Sequence, residues 1–140
     1  MKKDYSEVLL LDINVLLALA WPNHQFHDSA TRRLEPPRQR WATCALTQLG
    51  FIWLSSNPAV IRGAVRPSQA AELLSELVRD HLHTYLSLSA PAKTTDAFTN
   101  LLGHKQVTDA YLVAVAREHR ARLLTFDARL RELGNVELLA

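Results

Sequence analysis

The chain alternates short apolar runs with longer stretches in which apolar residues recur every three or four positions. Residues 8–11 form a continuous apolar run of the kind a buried strand needs, and the run stops at Asp12. Residues 15–21 follow a helical pattern until Pro22 and Asn23 break it. Phe26, Ala30 and Leu34 stand at i, i+4 and i+8, which predicts a second, amphipathic helix over 24–34, ended by Pro36 and Pro37. Residues 40–43 read as a short strand, after which Leu46, Leu49 and Trp53 repeat at helical spacing as far as Asn57 and Pro58. Ser68 is placed to cap another helix, with Ala71, Leu74, Leu77 and Val78 as its inner positions.

The Thr- and Tyr-bearing segment 83–89 favours a strand. Thr95 or Asp96 can cap a short helix that ends at Gly103, and Thr108 a longer one through His119. Residues 110–116 carry no charge, as expected of a helix packed both on a sheet and against a neighbour. The chain then reads as a strand over 122–125, a short helix over 127–133, a stop at Gly134 and a last strand over 136–139. Strands alternating with helices in this order predict an α/β layer structure with a mostly parallel central sheet flanked by helices and joined by right-handed crossovers. In such sheets ligands bind outside the carboxyl ends of the strands.

Composition narrows the class. With 140 residues, 48% hydrophobic and 21% charged, one compact domain over 1–140 is expected and intrinsic disorder is excluded. Cys44 is the single cysteine, so an intramolecular disulfide and a cysteine zinc site are both excluded, and a reducing, cytoplasmic setting fits. The apolar stretch 8–21 is interrupted by Asp12 and Asn14 and falls short of a membrane span. Asp4 and Glu7 follow Lys2 and Lys3 too closely for a signal peptide. The net charge of +2 is too small to argue for nucleic acid by itself. It is unevenly spread: Arg32, Arg33, Arg38 and Arg40 form one basic group, and Arg117, Arg120, Arg122, Arg129 and Arg131 another, each either solvated surface or phosphate contact.

Three aspartates stand where the strand-end rule points. Asp12 follows the first strand directly, Asp109 opens a helix, and Asp127 follows the 122–125 strand with one residue between. Carboxylates gathered at one edge repel and raise one another's pKa unless a cation neutralises them, so a cluster there points to a hard divalent ion, Mg2+ or Mn2+. That ion suits phosphodiester chemistry. Asp109 and Asp127 also have plain readings, as a dipole-favoured first-turn residue and as an N-cap. Asp12 is the least expected of the three to be purely structural, because a carboxylate beside a buried strand is costly unless it is paired or metal-bound. Thr108 and Thr125 adjoin two of the acids and are expected to cap and orient them. Neither glycine-rich phosphate loop is present, nor is a metalloprotease HExxH. Trp21, Trp41 and Trp53 are read as core or interface, Trp53 above all, and the six histidines as surface residues.

The segments LLLDINVLLALAW, WATCALTQLGFIWLSSNPAV and HKQVTDAYLVAVAREHRARLLTFDARL, in this order and spacing, resemble the PIN-domain family and, within it, the VapC toxins of bacterial toxin–antitoxin pairs. The resemblance implies a three-layer PIN-like fold and a Mg2+- or Mn2+-dependent endoribonuclease. Asp12 and Asp109 would be its metal ligands, Asp127 a further acid, and Asn14 would position substrate or water. It also implies a homodimer and a small VapB-like antitoxin that enters the active-site groove. Where many members carry a glutamate in a T-x-E-x-G-F pattern, this chain has Gln48, which adds no negative charge and cannot act as a base near neutral pH. A catalytically silent module acting through antitoxin or RNA binding is therefore the competing expectation. A phosphoacceptor receiver domain would need a matching lysine that the sequence lacks in the right place.

Overall fold

The computed structural model describes residues 7–35, 38–99, 101 and 103–139. Pro36 and Pro37 lie outside them, as do Lys2, Lys3 and Asp4. Five strands, β1 (Leu9–Leu11), β2 (Trp41–Cys44), β3 (His83–Leu86), β4 (Arg122–Thr125) and β5 (Val136–Leu138), form one sheet in the order β3-β2-β1-β4-β5. Every pairing is parallel, with Leu9 level with both Trp41 and Arg122, and Leu10 with both Ala42 and Leu123. The chain winds outward from β1 to β3, then returns to the other side of β1 for β4 and β5. The winding therefore reverses between β1 and β4, where open parallel sheets form their ligand crevice.

Helices α1 (Ile13–Ala20), α2 (His27–Leu34), α3 (Ala45–Ser55) and α4 (Pro67–Leu77) belong to the first half, and α5 (Val107–Glu118) connects β3 to β4. Side chains alternate across a strand, so β1 supplies two cores. Leu9 and Leu11 pack with Val15, Leu16 and Leu17 of α1, Ala30 and Leu34 of α2, Phe51 of α3 and Leu74 of α4. Leu10 packs on the opposite face with Ala42, Cys44, Leu123 and the α5 residues Leu112, Val115 and Ala116. This gives the helix–sheet–helix layering expected from the pattern. Cys44 is a buried core residue, as its plain reading supposed.

Several boundaries and faces differ from the sequence reading. The second helix begins at His27, which leaves Phe26 outside it. Helix α3 keeps the expected spacing but buries Thr47, Phe51 and Ser55, while Leu49 and Trp53 are 65% and 67% exposed. Two hydroxyls inside this core are satisfied: Thr47 donates to the Cys44 carbonyl at 3.1 Å, and Ser55 accepts from Trp21 Nε1 at 3.0 Å. Ser68 does not cap α4, because Pro67 takes the first helical position and Arg66 is the cap. Thr108 does not cap α5 either. It lies inside the first turn and is exposed, and Gln106 holds the cap position. Residues Ala128–Leu133 wind as a 3-10 helix, and Gly134 ends it with φ at +72°.

Candidate active site

The site begins at the end of β1. Asp12 is extended (φ −60°, ψ 156°) and serves as the N-cap of α1, its Oδ1 accepting from the Ile13 N–H at 2.8 Å. The Thr125 hydroxyl, at the last residue of the neighbouring β4, donates to Asp12 Oδ2 at 2.6 Å. The same hydroxyl oxygen accepts from the Asp127 N–H at 3.1 Å. One buried threonine thus ties together the two chain segments that leave β1 and β4. Packing brings α3 close by: a Cβ on Gly50 would lie 2.5 Å from Ile13 Cδ1, so any larger residue there would push aside the side chain that follows Asp12.

Three carboxylates converge here, and their environments differ. Asp12 is 9% exposed, and burial pushes its pKa up more strongly than the Thr125 and Ile13 hydrogen bonds draw it down, with the charge of Asp127 adding to the rise. Asp109, the third residue of α5, is pushed up to about 6 by burial and then by the charges of Asp12 and Asp127, with Arg129 opposing. Asp127 behaves oppositely. Arg129 Nε and Nη2 donate to its two carboxylate oxygens at 3.0 and 2.7 Å, and these bonds hold its pKa below the usual carboxylate value. Its Oδ1 also accepts from the Arg129 N–H at 3.0 Å and so caps the 3-10 helix, as the plain reading of this residue allowed.

Asp12, Asp109 and Asp127 are therefore in mutual electrostatic contact, and Thr125 orients the first. Thr108 orients none of them; it is exposed and makes no hydrogen bond to a described residue. Asn14, two residues beyond Asp12, is exposed and likewise makes none. Gln48 is committed elsewhere: its Nε2 donates to Thr43 Oγ1 at 2.9 Å, and that hydroxyl is 2.8 Å from His83 Nε2. None of its hydrogen bonds reaches an acid. His83 is accordingly an internal partner of β2 rather than a surface histidine. Trp41 is buried with its Nε1 on Asp80, and Trp21 is anchored on Ser55, so the exposed tryptophan is Trp53.

Three features escape the sequence reading. Arg129 had been counted only as one of a basic group, yet it pairs with a candidate acid. Within the two basic groups, the Arg33 side chain is buried against Glu137, and the partly exposed Arg122 lies 4.0 Å from Glu137 and 3.9 Å from Glu7. Phe126, between Thr125 and Asp127, packs its ring 4.8 Å from that of Phe26 and 6.5 Å from that of His24, giving this edge of the site an aromatic wall. Its position inside the T-F-D segment was the available signal.

Among the described residues no three His, Cys, Asp or Glu side chains form a complete metal cage. The donor set nevertheless suits a Mg2+-like ion, which is held by one or two carboxylates and fills its other positions with water and phosphate oxygens. Two oxygen-donor acids, disfavoured as anions by burial and by each other, are what such a charge relieves.

Comparison with known proteins agrees with this fold. Ribonuclease VapC39 of Mycobacterium tuberculosis is 36% identical over 136 residues, covering 93% of this chain and 96% of the relative. Ribonuclease VapC38 of the same species is 38% identical over 121 residues, covering 85% and 84%. Among solved structures, the sarcin–ricin loop cleaving toxin VapC20 of M. tuberculosis superposes with a TM-score of 0.69 at 15% identity, covering 94% of this chain and 99% of that one. The VapBC2 complex of Rickettsia felis, bound to a DNA fragment from its promoter, gives 0.66 at 14% identity, covering 95% and 99%. A PIN domain family model matches residues 9–136, from the first strand to the last. With that match and relatives aligned almost end to end, the chain belongs to the PIN-domain family, among its VapC members.

Proposed function

We propose that this protein is a metal-dependent endoribonuclease, the toxin of a VapBC-type toxin–antitoxin pair, working in the cytoplasm. The observation that carries the reading is the convergence of Asp12, Asp109 and Asp127 at the switch point between β1 and β4. Asp12 and Asp109 are the residues to hold Mg2+ or Mn2+. That ion, when bound, supplies a Lewis acid for the phosphodiester and lowers the pKa of an attacking water. Thr125 fixes the direction of the Asp12 carboxylate, and Asp127 keeps a negative charge at the rim because Arg129 stabilises it. Gln48 adds no charge, so substrate phosphate oxygens become co-ligands in place of a further acid. Asn14, exposed two residues beyond Asp12, would bind substrate or water.

The relatives support the assignment by name, as ribonucleases, and several structural neighbours are toxin–antitoxin complexes. A VapB-like antitoxin and a second copy of this chain are the expected protein partners, and the exposed Leu49 and Trp53 of α3 offer them apolar surface. No helix among the described residues is long and apolar enough to cross a membrane.

The test is incubation of purified protein with total RNA, with Mg2+ or Mn2+ and with chelator, beside Asp12→Asn prepared identically. Discrete fragments that need both metal and Asp12 are expected. If no RNA pool is cut and calorimetry detects no metal binding, the chain is instead a silent module that works through its partner.

A further inference from the structure

We propose that Arg129 forms a phosphate-binding subsite, holding an RNA phosphate next to the one that is cut. The inference rests on the ribonuclease reading and adds a residue that positions the strand. Asp127 engages Nε–H and one Nη2–H of the guanidinium, which fixes the plane of the group. The remaining three N–H groups, two on Nη1 and one on Nη2, have no hydrogen-bond partner among the described residues. The side chain is 77% exposed despite this pairing, so it is oriented without being covered.

Those free donors border an open depression of about 400 Å3 lined by Gly103, His104, Gln106 and Arg129. One wall is the segment that carries Asp127, and the other leads directly into α5 and Asp109. The depression thus lies between the segments that lead to Asp127 and to Asp109, and its lining side chains are donors and polar groups without a carboxylate. An RNA strand presenting one phosphate to the acids carries another charge one nucleotide to either side, and the acid cluster repels both. A cation fixed on the rim compensates one of them. A planar guanidinium with spare parallel N–H groups suits a phosphate better than a lone ammonium would. Arg33 and Arg122 cannot serve in this way, since Glu137 engages both.

The test separates binding from cutting. Asp12→Asn protein, alone and with Arg129→Gln or Arg129→Lys, is titrated by fluorescence anisotropy across a salt series. The probe is a labelled short RNA containing a mapped cut site or, if none is mapped, labelled oligouridylate. Arg129→Gln is expected to weaken binding roughly tenfold and to lower the slope of log affinity against log salt by about one. Arg129→Lys should keep the slope and lose part of the affinity. With Asp12 intact, Arg129→Gln should raise KM far more than it lowers kcat. A single uncharged methylphosphonate beside the cut should weaken the Arg129 protein and leave Arg129→Gln indifferent. If Arg129→Gln lowers kcat at unchanged KM and salt slope, the residue only holds Asp127 and the subsite is wrong. Unchanged binding and cleavage overturn it as well. RNA neither bound nor cut by the parent protein overturns the ribonuclease reading, and the subsite with it.

Discussion

Asp12 and Asp127 follow adjacent parallel strands and hydrogen-bond the same Thr125 hydroxyl, one through its carboxylate and the other through its backbone N–H, yet their surroundings pull them apart. Asp12 is buried and its charged form is disfavoured; Asp127 lies at the rim and Arg129 keeps it charged. Topology alone assigns the two residues the same role. Environment does not: a poorly compensated buried carboxylate has reason to hold a cation, whereas one already forked onto a guanidinium has little. On the proposed reading Asp12 and Asp109 would be the ligands, and the Asp127–Arg129 pair would belong to the substrate rim.

The sharpest way to break this contrast is to neutralise each acid in turn. Asp12→Asn should cost roughly a thousandfold or more in cleavage, the scale of the charge stabilisation a catalytic metal provides. The fold should persist, because asparagine caps a helix about as well as aspartate and a buried charge is removed. Asp127→Asn should cost roughly tenfold, in the range of residues that act through their neighbours. Equal losses in a quantitative cleavage assay, or an unfolded Asp12→Asn by circular dichroism, would remove the distinction.

Thr125→Val keeps the shape of the shared residue and removes its hydroxyl. Asp12 Oδ2 then loses its donor, so stability should fall by about 1–3 kcal/mol and cleavage by roughly 10–100-fold. Thr125→Ser should restore both, since it returns the hydroxyl. Failure of serine to rescue would show that the β4 methyl, not the hydrogen bond, is what matters.

The contrast also sets the pH dependence of the metal-free protein. Asp109 sits near 6 when folded, against an ordinary carboxylate value of 3.8, and Asp12 shifts the same way. The folded state therefore holds more protons than the unfolded chain in that interval, and these two acids make stability fall as pH rises from about 4 through 6. Asp127 is shifted downward, so its contribution is present above the unfolded value and is lost on acidification. Thermal unfolding followed with chelator should show the decline at Asp12 and Asp109. If these acids hold the ion as proposed, millimolar Mg2+ should reverse it at neutral pH by binding the folded state. A shallower decline in Asp12→Asn, where Asp109 is still raised by its own burial, and a flat profile only when Asp109→Asn is added would confirm which acids carry it.

What could be read in advance follows the same physics. Asp12 stands out because a charge abutting a buried apolar run is a contradiction that some partner has to resolve, whereas Thr125, expected to orient its neighbour Asp127, gives its hydroxyl to Asp12 on the adjacent strand, which spacing does not show. The face of α3 could not be read in this way. Leu46, Leu49 and Trp53 repeat at the same period as Thr47, Phe51 and Ser55, so spacing yields the helix and leaves its rotation open. The polar pair went inward because Cys44 and Trp21 satisfy the two hydroxyls, a tertiary fact with no local trace. Arg129 was hidden for a similar reason. Its reach back to Asp127 depends on the tight 3-10 turn that follows β4, where the sequence suggests only another helix.

Gln48→Glu should give the smallest effect and decides whether α3 takes part in the site. A carboxylate at this position cannot donate, so the Thr43 hydroxyl must turn to donate to it and then accept from His83 Nε2–H. His83, whose pKa burial now lowers, should titrate higher in the variant, a shift that imidazole NMR signals report. Mg2+ affinity should rise by at most about tenfold, since a single added charge near a solvent-facing site is worth on the order of 1 kcal/mol. If His83 shifts while calorimetry finds Mg2+ binding unchanged, the side chain at position 48 belongs to the β2–β3 network alone. The two acids proposed as metal ligands would then act without it, and the site's electrostatics would rest on Asp12, Asp109 and the Arg129-paired Asp127.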